Sequence, residues 1–581
     1  MKRVLTILFL VYLSYPINGQ TIEKERPEDL MYLSAPDSTG YRRPLKTPII
    51  HDTKRKVVNN LSELPYPIIF IHGLNSEAEA WNDFTNALEE EYGMIFGGRK
   101  DYCLNFDNDN SIANTNFYPE NGADIAIFVG PTINFSGDYF YLNFNIGIDG
   151  SVYPWYLDSS NVLSNQAAVV KQSVALKNMI QYILNGTGKS KVILFGHSMG
   201  GLAAREYLQN PSIWQDDGQH HVAKLITTGT PHGGSNTSGS ALSLGLGINE
   251  KSDAVRDLRT TYSVSGNPGV YLNGGFEDLD WMDDSLIPFY AFHNTDVNCN
   301  TINDEFITGL NSKENPNDLD FACIIGSFLG GSSDGVVNQV SANLFNYIDF
   351  NSNTVNNIFN TNSFHTSLQG KFLENMQGLD EPNEYELSYE IELNKNYSGF
   401  VTPQPINGYD YDYDDFKFTL EENGVYELKI TSTILSELNY YLLDSELNIL
   451  FSGTIDQEPI NEDSIQISLN SGQYFLEFEA SPNEMSPPKS YNFSIETNLS
   501  IPNNVTETQI SVYPNPTNSI INIDSKIKFD QAQIYSVLGQ KIFSKKLDLN
   551  QIIDLSELSA GFYNLILKNS DQIQSVKILK E

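Results

Sequence analysis

The sequence predicts an α/β fold with a mainly parallel sheet, followed by two smaller all-β domains. Between residues 60 and 240, short apolar stretches typical of buried strands alternate with longer stretches whose apolar residues recur at helical spacing. From about residue 385 onward, apolar and polar residues instead alternate in short runs separated by turn residues. Because a strand–helix–strand order builds a parallel sheet covered by helices, the two patterns indicate different architectures within one chain.

The first residues have the order of an export signal. Met1-Lys2-Arg3 is positively charged, residues 4–13 are mainly apolar, and small and polar residues follow. This order is typical of a secretory signal peptide, and the apolar run is too short to span a bilayer. We therefore assign residues 1–19 to a signal peptide, 20–59 to an N-terminal extension and 60–380 to the α/β domain, and we expect no transmembrane segment.

Charge and cysteine content narrow the classes of partner. The net charge of −38 is spread along all 581 residues, which argues against nucleic acid or an anionic membrane surface as the main partner. The three cysteines form no CxxC pair and no disulfide framework, so no metal site is predicted from them. An oxidising compartment permits one bridge, for which Cys299 and Cys323 are the closer pair in sequence.

The elements of the α/β domain follow from these patterns. Strands are predicted at residues 67–71, 192–195, 224–227, 288–292 and 321–326, and helices at 166–184 and 202–208. Residues 101–160 are rich in aromatic residues and Asn and contain a strand-like stretch at 139–144. We interpret this insert only as an elaboration of the α/β domain.

A candidate nucleophile lies between a predicted strand and a predicted helix, in Gly196-His197-Ser198-Met199-Gly200. A serine hydroxyl is a poor nucleophile unless it is exposed, close to a base and facing an oxyanion stabiliser. A strand–turn–helix elbow exposes the serine by straining its backbone, and it requires small residues two positions before and after it. The following helix also points its N-terminal amides towards the developing charge. This context predicts Ser198 as the nucleophile.

The chain contains a second match to the same pattern, Gly331-Ser332-Ser333-Asp334-Gly335. Glycine is common, so a bare match arises by chance in roughly one of every few chains of this length. Residues 336–340 read as extended rather than helical. The context therefore favours Ser198.

Two further motifs accompany the elbow. Phe70-Ile71-His72-Gly73-Leu74 closes an early strand, and Gly229-Thr230-Pro231-His232-Gly233-Gly234-Ser235 follows the strand after the elbow. Together the three motifs resemble those of bacterial lipases of the α/β-hydrolase fold, over roughly residues 64–370. The resemblance implies an oxyanion hole formed by the backbone N–H groups of Leu74 and Met199.

The catalytic base must be one of eight histidines. Six are set aside by position: His51 precedes the fold, His220 and His221 lie in a polar loop, and His72, His197 and His232 belong to motifs in which a structural role is expected. The triad order in this fold is Ser, then Asp or Glu, then His. His365 follows every plausible acid and is the predicted base, with His293 as the alternative.

The acid is predicted from the segment Gly330 to Val337, which follows a strand-like stretch. This segment resembles the Asp-Gly-x-Val turn of lipases, and the resemblance implies that Asp334 orients His365 and stabilises its charged form. Asp296 is the competing acid, and the alternative for Asp296 is a solvated loop residue.

Two other segments have two interpretations each. Residues 238–265 mix apolar residues and glycine where lipases of this kind carry a mobile lid, and an ordinary buried segment is equally compatible. Residues 409–415 alternate Tyr and Asp and could bind calcium, but they lack a known ligand spacing. We interpret them as a solvated acidic loop, and we expect neither a metal nor a cofactor in the reaction.

The two C-terminal domains have separate resemblances. Residues 385–498 predict a β-sandwich, with strands at 415–420, 424–430 and 472–478, and resemble the pre-peptidase C-terminal domains of secreted bacterial hydrolases.

Residues 509–581 contain Tyr513-Pro514-Asn515-Pro516, Leu538-Gly539-Gln540 and Ala560-Gly561-Phe562-Tyr563, in that order. They closely resemble the sorting domain of the type IX secretion system. The resemblance implies export by that machinery to the cell surface or medium, followed by removal of the domain.

The sequence thus predicts a secreted serine hydrolase that cleaves carboxylic esters through an acyl-enzyme, without a cofactor and with lipids as the favoured substrates, as in a triacylglycerol lipase or esterase. The alternatives are a phospholipase, a polyester hydrolase or an acyltransferase using the same triad. A binding protein that kept the hydrolase shell is the alternative from another class.

Overall fold

The computed structural model describes most of the chain from residue 62 onward. The described residues are 62–102, 104, 127–129, 133–145, 164–236, 248, 252–262, 267–277, 295–300, 302, 304–348, 357–403, 411–432, 437–455, 461–480, 488–497, 511–525, 528–536, 541–547, 551–569 and 573–581. The predicted signal peptide and N-terminal extension, together with His51, Cys103 and His293, lie outside them. The chain divides into two compact units, one made of 1–422, 428–465 and 471–495 and the other of 423–427, 466–470 and 496–581.

The α/β domain is organised around one sheet. Its strands are β1 Ile68–Ile71, β2 Phe96–Tyr102, β3 Ile127–Val129, β4 Tyr139–Asn143, β5 Val192–His197, β6 Val222–Thr228, β7 Gly275–Phe276, β8 Phe306–Ile307, β9 Asp320–Gly326 and β10 Asn357–Thr361. Eight of these form the sheet in the order β10-β9-β6-β5-β1-β4-β2-β3, whereas β7 and β8 pair separately. All neighbours in the sheet are parallel except β2 and β3, as the strand–helix pattern predicted.

Seven described α-helices accompany the sheet: α1 Asn82–Tyr92, α2 Val169–Thr187, α3 Met199–Leu208, α4 Asp253–Leu258, α5 Val270–Asn273, α6 Gln339–Ala342 and α7 Phe372–Leu379. Helix α2 buries Leu176, Met179, Ile180 and Ile183 in the same apolar cluster as the inner face of the central strands. Burying a side chain of this size contributes about 1.5–3 kcal/mol, so this face fixes the helix against the sheet. The helix ends at Gly188, whose φ of 73° requires glycine's freedom.

The insert contains a central strand of the fold. Residues 101–160 were interpreted as an elaboration, but Tyr139–Asn143 pairs in parallel with β1 and with β2. The expectation was wrong because the strand is continuously buried, although the residues around it in the sequence are polar. Strand β10 was not predicted either, since its sequence has only two apolar residues, flanked by Asn and Thr.

A β-sandwich follows the α/β domain in the chain, and most of its residues belong to the first unit. Its strands are β11 Tyr389–Glu390, β12 Asn396–Val401, β13 Asp412–Leu420, β14 Gly424–Ser432, β15 Leu438–Asp444, β16 Ile449–Ile455, β17 Asn461–Leu469, β18 Gly472–Ala480 and β19 Lys489–Thr497. They form a five-stranded sheet, β11-β13-β18-β15-β16, and a four-stranded sheet, β12-β19-β14-β17. Phe416, Phe478 and Phe493 pack between them, with Phe493 ring centroids 4.6 and 5.0 Å from the other two.

The sandwich is joined to the α/β domain by backbone hydrogen bonds. Glu63 N–H donates to Asn396 O at 3.0 Å, and Ser398 N–H donates to Glu63 O at 3.1 Å. The Tyr66 hydroxyl accepts the Glu390 N–H at 2.9 Å. The segment that leads into β1 therefore extends along strand β12 of the sandwich.

The second unit contains a small β-domain. Its strands are β20 Ser511–Tyr513, β21 Ile520–Asp524, β22 Gln531–Ser536, β23 Lys541–Lys546, β24 Ile552–Asp554, β25 Gly561–Lys568 and β26 Ile573–Lys580. They form the sheets β20-β21-β24 and β23-β22-β25-β26, all antiparallel. Ile521, Ile534, Leu565 and Ile578 are fully buried in its core.

The structure decides one point that the sequence left open and corrects one expectation. Cys299 and Cys323 are both buried free thiols, so they form no bridge. The expectation of a solvated acidic loop was wrong for the described part of residues 409–415, because Asp412, Asp414 and Asp415 are buried on β13. Residues 409 and 410 lie outside the described residues. Among the described residues, no helix is both long and apolar enough to cross a membrane.

Candidate active site

Ser198 lies at the turn between β5 and α3. Its φ of 53° and ψ of −126° are strained for a residue with a side chain, as the elbow requires. A Cβ on Gly196 would lie 2.5 Å from the Gly201 backbone nitrogen, and one on Gly200 would lie 2.6 Å from the His72 carbonyl oxygen. The flanking glycines are therefore required by contacts that no larger residue fits.

The structure brings Ser198, His365 and Asp334 together. His365 Nε2 lies 2.9 Å from Ser198 Oγ, and His365 Nδ1 lies 2.7 Å from Asp334 Oδ2. All three side chains are buried, and Asp334 is only 1% exposed. This arrangement allows His365 to accept the serine proton while the carboxylate faces the opposite side of the imidazole.

The Asp334 carboxylate is fixed by its own turn. Its Oδ1 accepts the N–H groups of Val336 at 2.9 Å and Val337 at 2.7 Å, which leaves Oδ2 for His365. The His365 N–H donates to the Asp334 carbonyl at 3.0 Å, so backbone and side chain both join the two residues. The Asp-Gly-x-Val sequence thus forms a closed turn that aims one carboxylate oxygen at the imidazole.

The loop after β1 lies against the elbow. A Cβ on Gly73 would lie 2.8 Å from Ser198 Cβ, so the loop backbone passes directly beside the serine. The side chains of Leu74 and Met199, the predicted oxyanion-hole residues, pack in one apolar cluster. Their backbone N–H groups as oxyanion donors belong to the proposal below.

His72 has the structural role expected from its motif, and it positions this loop through partners that the sequence did not indicate. Its Nε2 accepts the Phe144 N–H at 2.8 Å, so the proton is on Nδ1, which donates to Gly73 O at 2.9 Å. Burial lowers the pKa of His72 to about 4, which keeps the imidazole neutral. Since the carbonyl and N–H of one trans peptide point in opposite directions, fixing Gly73 O also orients the Leu74 N–H.

His197 and His232 have structural roles, as expected from their motifs. His197 Nε2 donates to the His365 carbonyl at 3.1 Å, and burial holds its pKa well below the usual range. His232 is buried between Thr227 and Arg205. Both imidazoles therefore stabilise the surrounding structure and are not part of the hydrogen-bonded series Ser198–His365–Asp334.

The competing residues Ser333 and Asp296 have other hydrogen-bond partners. Ser333 Oγ donates to Val337 O at 2.8 Å and accepts the Gly335 N–H, so it serves the acid turn. Helix α6 begins at Gln339 and so includes the last two residues of the segment 336–340 that was predicted to be extended, but it has only four residues. Asp296 is fully buried rather than solvated, and its Oδ1 accepts the Asn300 N–H at 3.1 Å.

The predicted lid is described only in part. Residues 238–247, 249–251 and 263–265 lie outside the described residues. Between them, all six residues of α4 are buried, and its Arg256 contacts Asp257 and Asp253. This part of the segment is packed into the domain.

One group of carboxylates among the described residues has the spacing of a cation site. One oxygen each from Asp380, Glu381 and Asp414 lie within 4.8 Å of one another. The Asp380 carbonyl accepts a hydrogen bond from Lys224, near the first residues of β6, whereas the triad lies beyond the ends of the strands. The group is thus separate from the candidate active site.

Two family models match the chain. Residues 65–308 match a PGAP1-like alpha/beta domain, and residues 511–581 match a secretion system C-terminal sorting domain. No curated protein matches the sequence.

Similar solved structures include three bacterial proteins. Bacillus licheniformis lipase BlEst2 in its propeptide form is 15% identical, with 89% of this chain and 94% of that chain covered and a TM-score of 0.28. The naproxen esterase of Bacillus subtilis is 12% identical, with 54% of this chain and 81% of that chain covered and a TM-score of 0.23. The pre-peptidase C-terminal domain of Bacillus anthracis collagenase is 17% identical, with 20% of this chain and 98% of that chain covered and a TM-score of 0.15.

The sheet order, the PGAP1-like match and the sorting-domain match together identify the architecture. The sorting domain directs the protein through type IX secretion to the cell surface or the extracellular space. The chain is a secreted α/β-hydrolase with a type IX sorting domain at its C-terminal end.

Proposed function

We propose that the protein hydrolyses carboxylic esters, with Ser198 as nucleophile, His365 as base and Asp334 as the acid of the triad. The observation that carries this proposal is the continuous hydrogen-bonded relay from Ser198 Oγ through His365 to Asp334 Oδ2, at 2.9 and 2.7 Å. Because the relay ends in a buried carboxylate and begins at a strained, elbow-held serine, it has the parts that acyl transfer needs.

The reaction proceeds in two halves. His365 Nε2 takes the Ser198 proton as Oγ attacks the ester carbonyl, and the N–H groups of Leu74 and Met199 stabilise the oxyanion. The imidazolium then protonates the leaving alcohol, which gives the acyl-enzyme. Water, activated by the same imidazole, releases the acid and restores the serine.

Lipid esters are the proposed substrates because apolar side chains flank the acid and the base. Leu329, in the loop between β9 and Asp334, is 81% exposed. Its neighbour Phe328 packs on Phe364 with ring centroids 5.3 Å apart, and Phe364 directly precedes His365. Apolar surface at this position favours a fatty acyl chain over a polar one.

The test compares fatty acid release from an emulsified long-chain triacylglycerol with hydrolysis of a soluble short-chain ester. Ser198→Ala should abolish both activities and labelling by a serine-reactive phosphonate, while the folded structure is retained. Ser333→Ala, in the second G-x-S-x-G sequence, is the control for the choice of serine and should still be labelled by the phosphonate, because it keeps Ser198.

Each pattern of activity identifies one substrate class. Strong hydrolysis of the emulsion supports a lipase, and activity limited to the soluble ester supports an esterase. Activity on a phospholipid or polyester alone, or acyl transfer to an added alcohol, would change the proposed substrate class but would leave the proposed triad in place. Full activity of Ser198→Ala would disprove the mechanism.

A further inference from the structure

The segment that leads into strand β8 of the α/β domain carries oxygen-bearing side chains at alternate positions. Counted from Asp296 as the first position, Asn298 is third, Asn300 is fifth and Asp304 is ninth. Calcium loops of the EF-hand type supply ligands from positions 1, 3, 5, 7 and 9, the seventh through its backbone carbonyl. We propose that one calcium ion binds at a hairpin site formed by Asp296, Asn298, Asn300, Ile302, Asp304 and Glu277.

The side-chain oxygens of this segment already face its own backbone. Asp296 Oδ1 and Asn298 Oδ1 each lie 3.1 Å from the Asn300 nitrogen and accept its N–H. Asn300 Oδ1 accepts the Ile302 N–H at 2.8 Å. All three oxygens therefore lie on the inner side of the turn. Because each such oxygen has a second lone pair, it can bind a cation while it keeps its hydrogen bond.

Glu277, the residue after β7, provides an independent indication of a ligand. It is 1% exposed, and its Oε1 accepts the N–H groups of Val297 and Asn298, which places the carboxylate at the start of the turn. Its Oε2 is buried and has no hydrogen-bond partner among the described residues. A buried carboxylate oxygen is costly unless something positive binds it, so Oε2 is available as a ligand.

Glu277 also supplies what the segment itself lacks. The segment differs from the EF-hand type at positions 6 and 12, where Thr301 and Ile307 stand in place of the usual Gly and Glu. The Glu at position 12 is the carboxylate that completes such a site. At the hairpin site this carboxylate comes from the neighbouring strand of the β7–β8 pair.

Negative charge accumulates around the hairpin site. The Glu277 N–H donates to Glu305 O at 2.9 Å and continues the antiparallel pairing of β7 and β8, so the two Glu residues stand directly opposite each other. Both carboxylates contact Asn298, and Asp296 adds a further repulsion on Glu277. Arg256 reaches the Asp296 carbonyl, but its ion pairs are with carboxylates of its own helix α4. Since like charges opposite each other destabilise a strand pair, a bound cation stabilises this one.

The number and type of the oxygens select calcium. Calcium takes six to eight oxygen ligands from carboxylates, amides and backbone carbonyls, in flexible geometry. The hairpin site offers two carboxylates, two amide oxygens and one backbone carbonyl, and Asp304 at position 9 binds directly or through a water. Magnesium demands a near-ideal octahedron and keeps several of its waters, so it makes poor use of so many protein oxygens.

The ion has a structural task and takes no part in the proposed reaction. Ile307, the last residue of β8, packs in the same apolar cluster as Leu74 and Met199. Calcium at the hairpin site therefore holds together a part of the domain that packs beside these two residues.

The experiment uses the full-length protein after treatment with a chelator. Hydrogen exchange is measured by mass spectrometry, peptide by peptide, with and without added calcium. We expect about 5 mM calcium to slow exchange at least about tenfold in peptides that cover residues 296–307. Because this measurement is local, calcium bound elsewhere in the chain does not produce the expected result.

Glu277→Gln tests the ligand from the neighbouring strand. The amide oxygen can still accept the N–H groups of Val297 and Asn298, but the charge of Oε2 is lost. We expect the slowing of exchange to require at least about tenfold more calcium, since ligand charge sets the affinity of such sites. Glu314→Gln removes the same charge at an exposed position after β8 and is the matched control, which should match the wild type.

The outcomes separate this proposal from the proposed function. If about 10 mM calcium, above the range of extracellular calcium modules, leaves exchange of residues 296–307 in the wild type unchanged, the proposal is wrong. Equal slowing by magnesium would overturn the choice of calcium, and wild-type behaviour of Glu277→Gln would overturn the ligand set. The wild-type measurements decide even if Glu277→Gln does not fold. Ser198→Ala should respond to calcium as the wild type does, whether or not the protein hydrolyses esters.

Discussion

The two oxygens of Asp334 have different partners, and this difference determines the expected effect on the proposed triad when Asp334 is changed. Oδ1 is held by two backbone amides, and only Oδ2 faces His365. An Asn at this position keeps its oxygen on the amides and turns its NH₂ group towards the imidazole. His365 would then be held in the tautomer that cannot accept the serine proton.

We therefore expect Asp334→Asn to lower kcat by about 10⁴-fold with little change in KM. Steady-state hydrolysis of the soluble ester measures this effect. Asp216→Asn, at a fully exposed carboxylate, is the control and should leave kcat unchanged. A loss of less than tenfold in Asp334→Asn would indicate that another acid, such as Asp296, serves the base.

His72 gives a second prediction at the same scale. His72→Phe keeps a ring of similar size but removes the hydrogen bonds to Gly73 O and from the Phe144 N–H. The Leu74 N–H would no longer be oriented, so we expect kcat to fall by up to about 10²-fold, as for a lost oxyanion donor, with KM nearly unchanged.

The control for His72 is His221→Asn in the loop before β6, because Asn tolerates the φ of 54° found there. Reaction with the phosphonate should slow in His72→Phe in parallel with kcat. A rise in KM at constant kcat would instead place His72 in substrate binding.

At the scale of elements, strand β13 departs most from expectation. The Tyr-Asp alternation of residues 409–415 was interpreted as a solvated loop because no single sequence feature shows that Asp412, Asp414 and Asp415 pair with β18. Burial first, and then Glu477, Glu384 and Glu386, raise the pKa of Asp415 to about 8. A carboxyl group in this state makes the strand sensitive to pH.

The sign follows from the two pKa values. Asp415 keeps its proton in the folded state up to about pH 8, whereas the unfolded chain loses it near 3.8, so stability falls as pH rises between these values. Asp415→Asn removes this dependence. The Tm of Asp415→Asn relative to wild type should increase from pH 4 to pH 8 and then level off.

Thermal unfolding across that pH range tests the prediction, with Asp216→Asn as the control that shows no such trend. A constant difference in Tm between Asp415→Asn and wild type would mean that Asp415 is ionised in the folded protein at all these pH values.

The elements that carry strong local signals were predictable, and those that depend on distant partners were not. Strands β1, β5, β6 and β9 were found from continuous apolar runs, and helix α3 from the elbow before it. The position of β4 beside β1 depends on pairing across about 70 residues, which periodicity does not show. A structural role was expected for His72, but its partner, the Phe144 N–H, could not be predicted for the same reason.

At the scale of the whole molecule, the sorting domain is built to be separable. The residues of its apolar core all lie between Val512 and Ile578, so the domain fills its core from its own sequence. We expect a chain lacking residues 511–581 to hydrolyse the soluble ester with unchanged kcat but to remain in the periplasm of a host with type IX secretion.

Cell fractionation of that host, with the activity assayed in each fraction, measures both parts of this prediction. The full-length chain is the control and should reach the surface or the medium. Surface activity of the truncated chain would show that another segment directs export.

The backbone bonds from Glu63 to β12 have a consequence for how this protein can be taken apart. Strand β12 is the outermost strand of its sheet, and the segment that leads into the catalytic domain covers part of it. An uncovered sheet edge is a template for unwanted pairing between molecules. A sandwich expressed alone would expose that edge. The segment before the α/β domain therefore also protects the sandwich from aggregation. The two cannot be exchanged as independent modules without first redesigning β12.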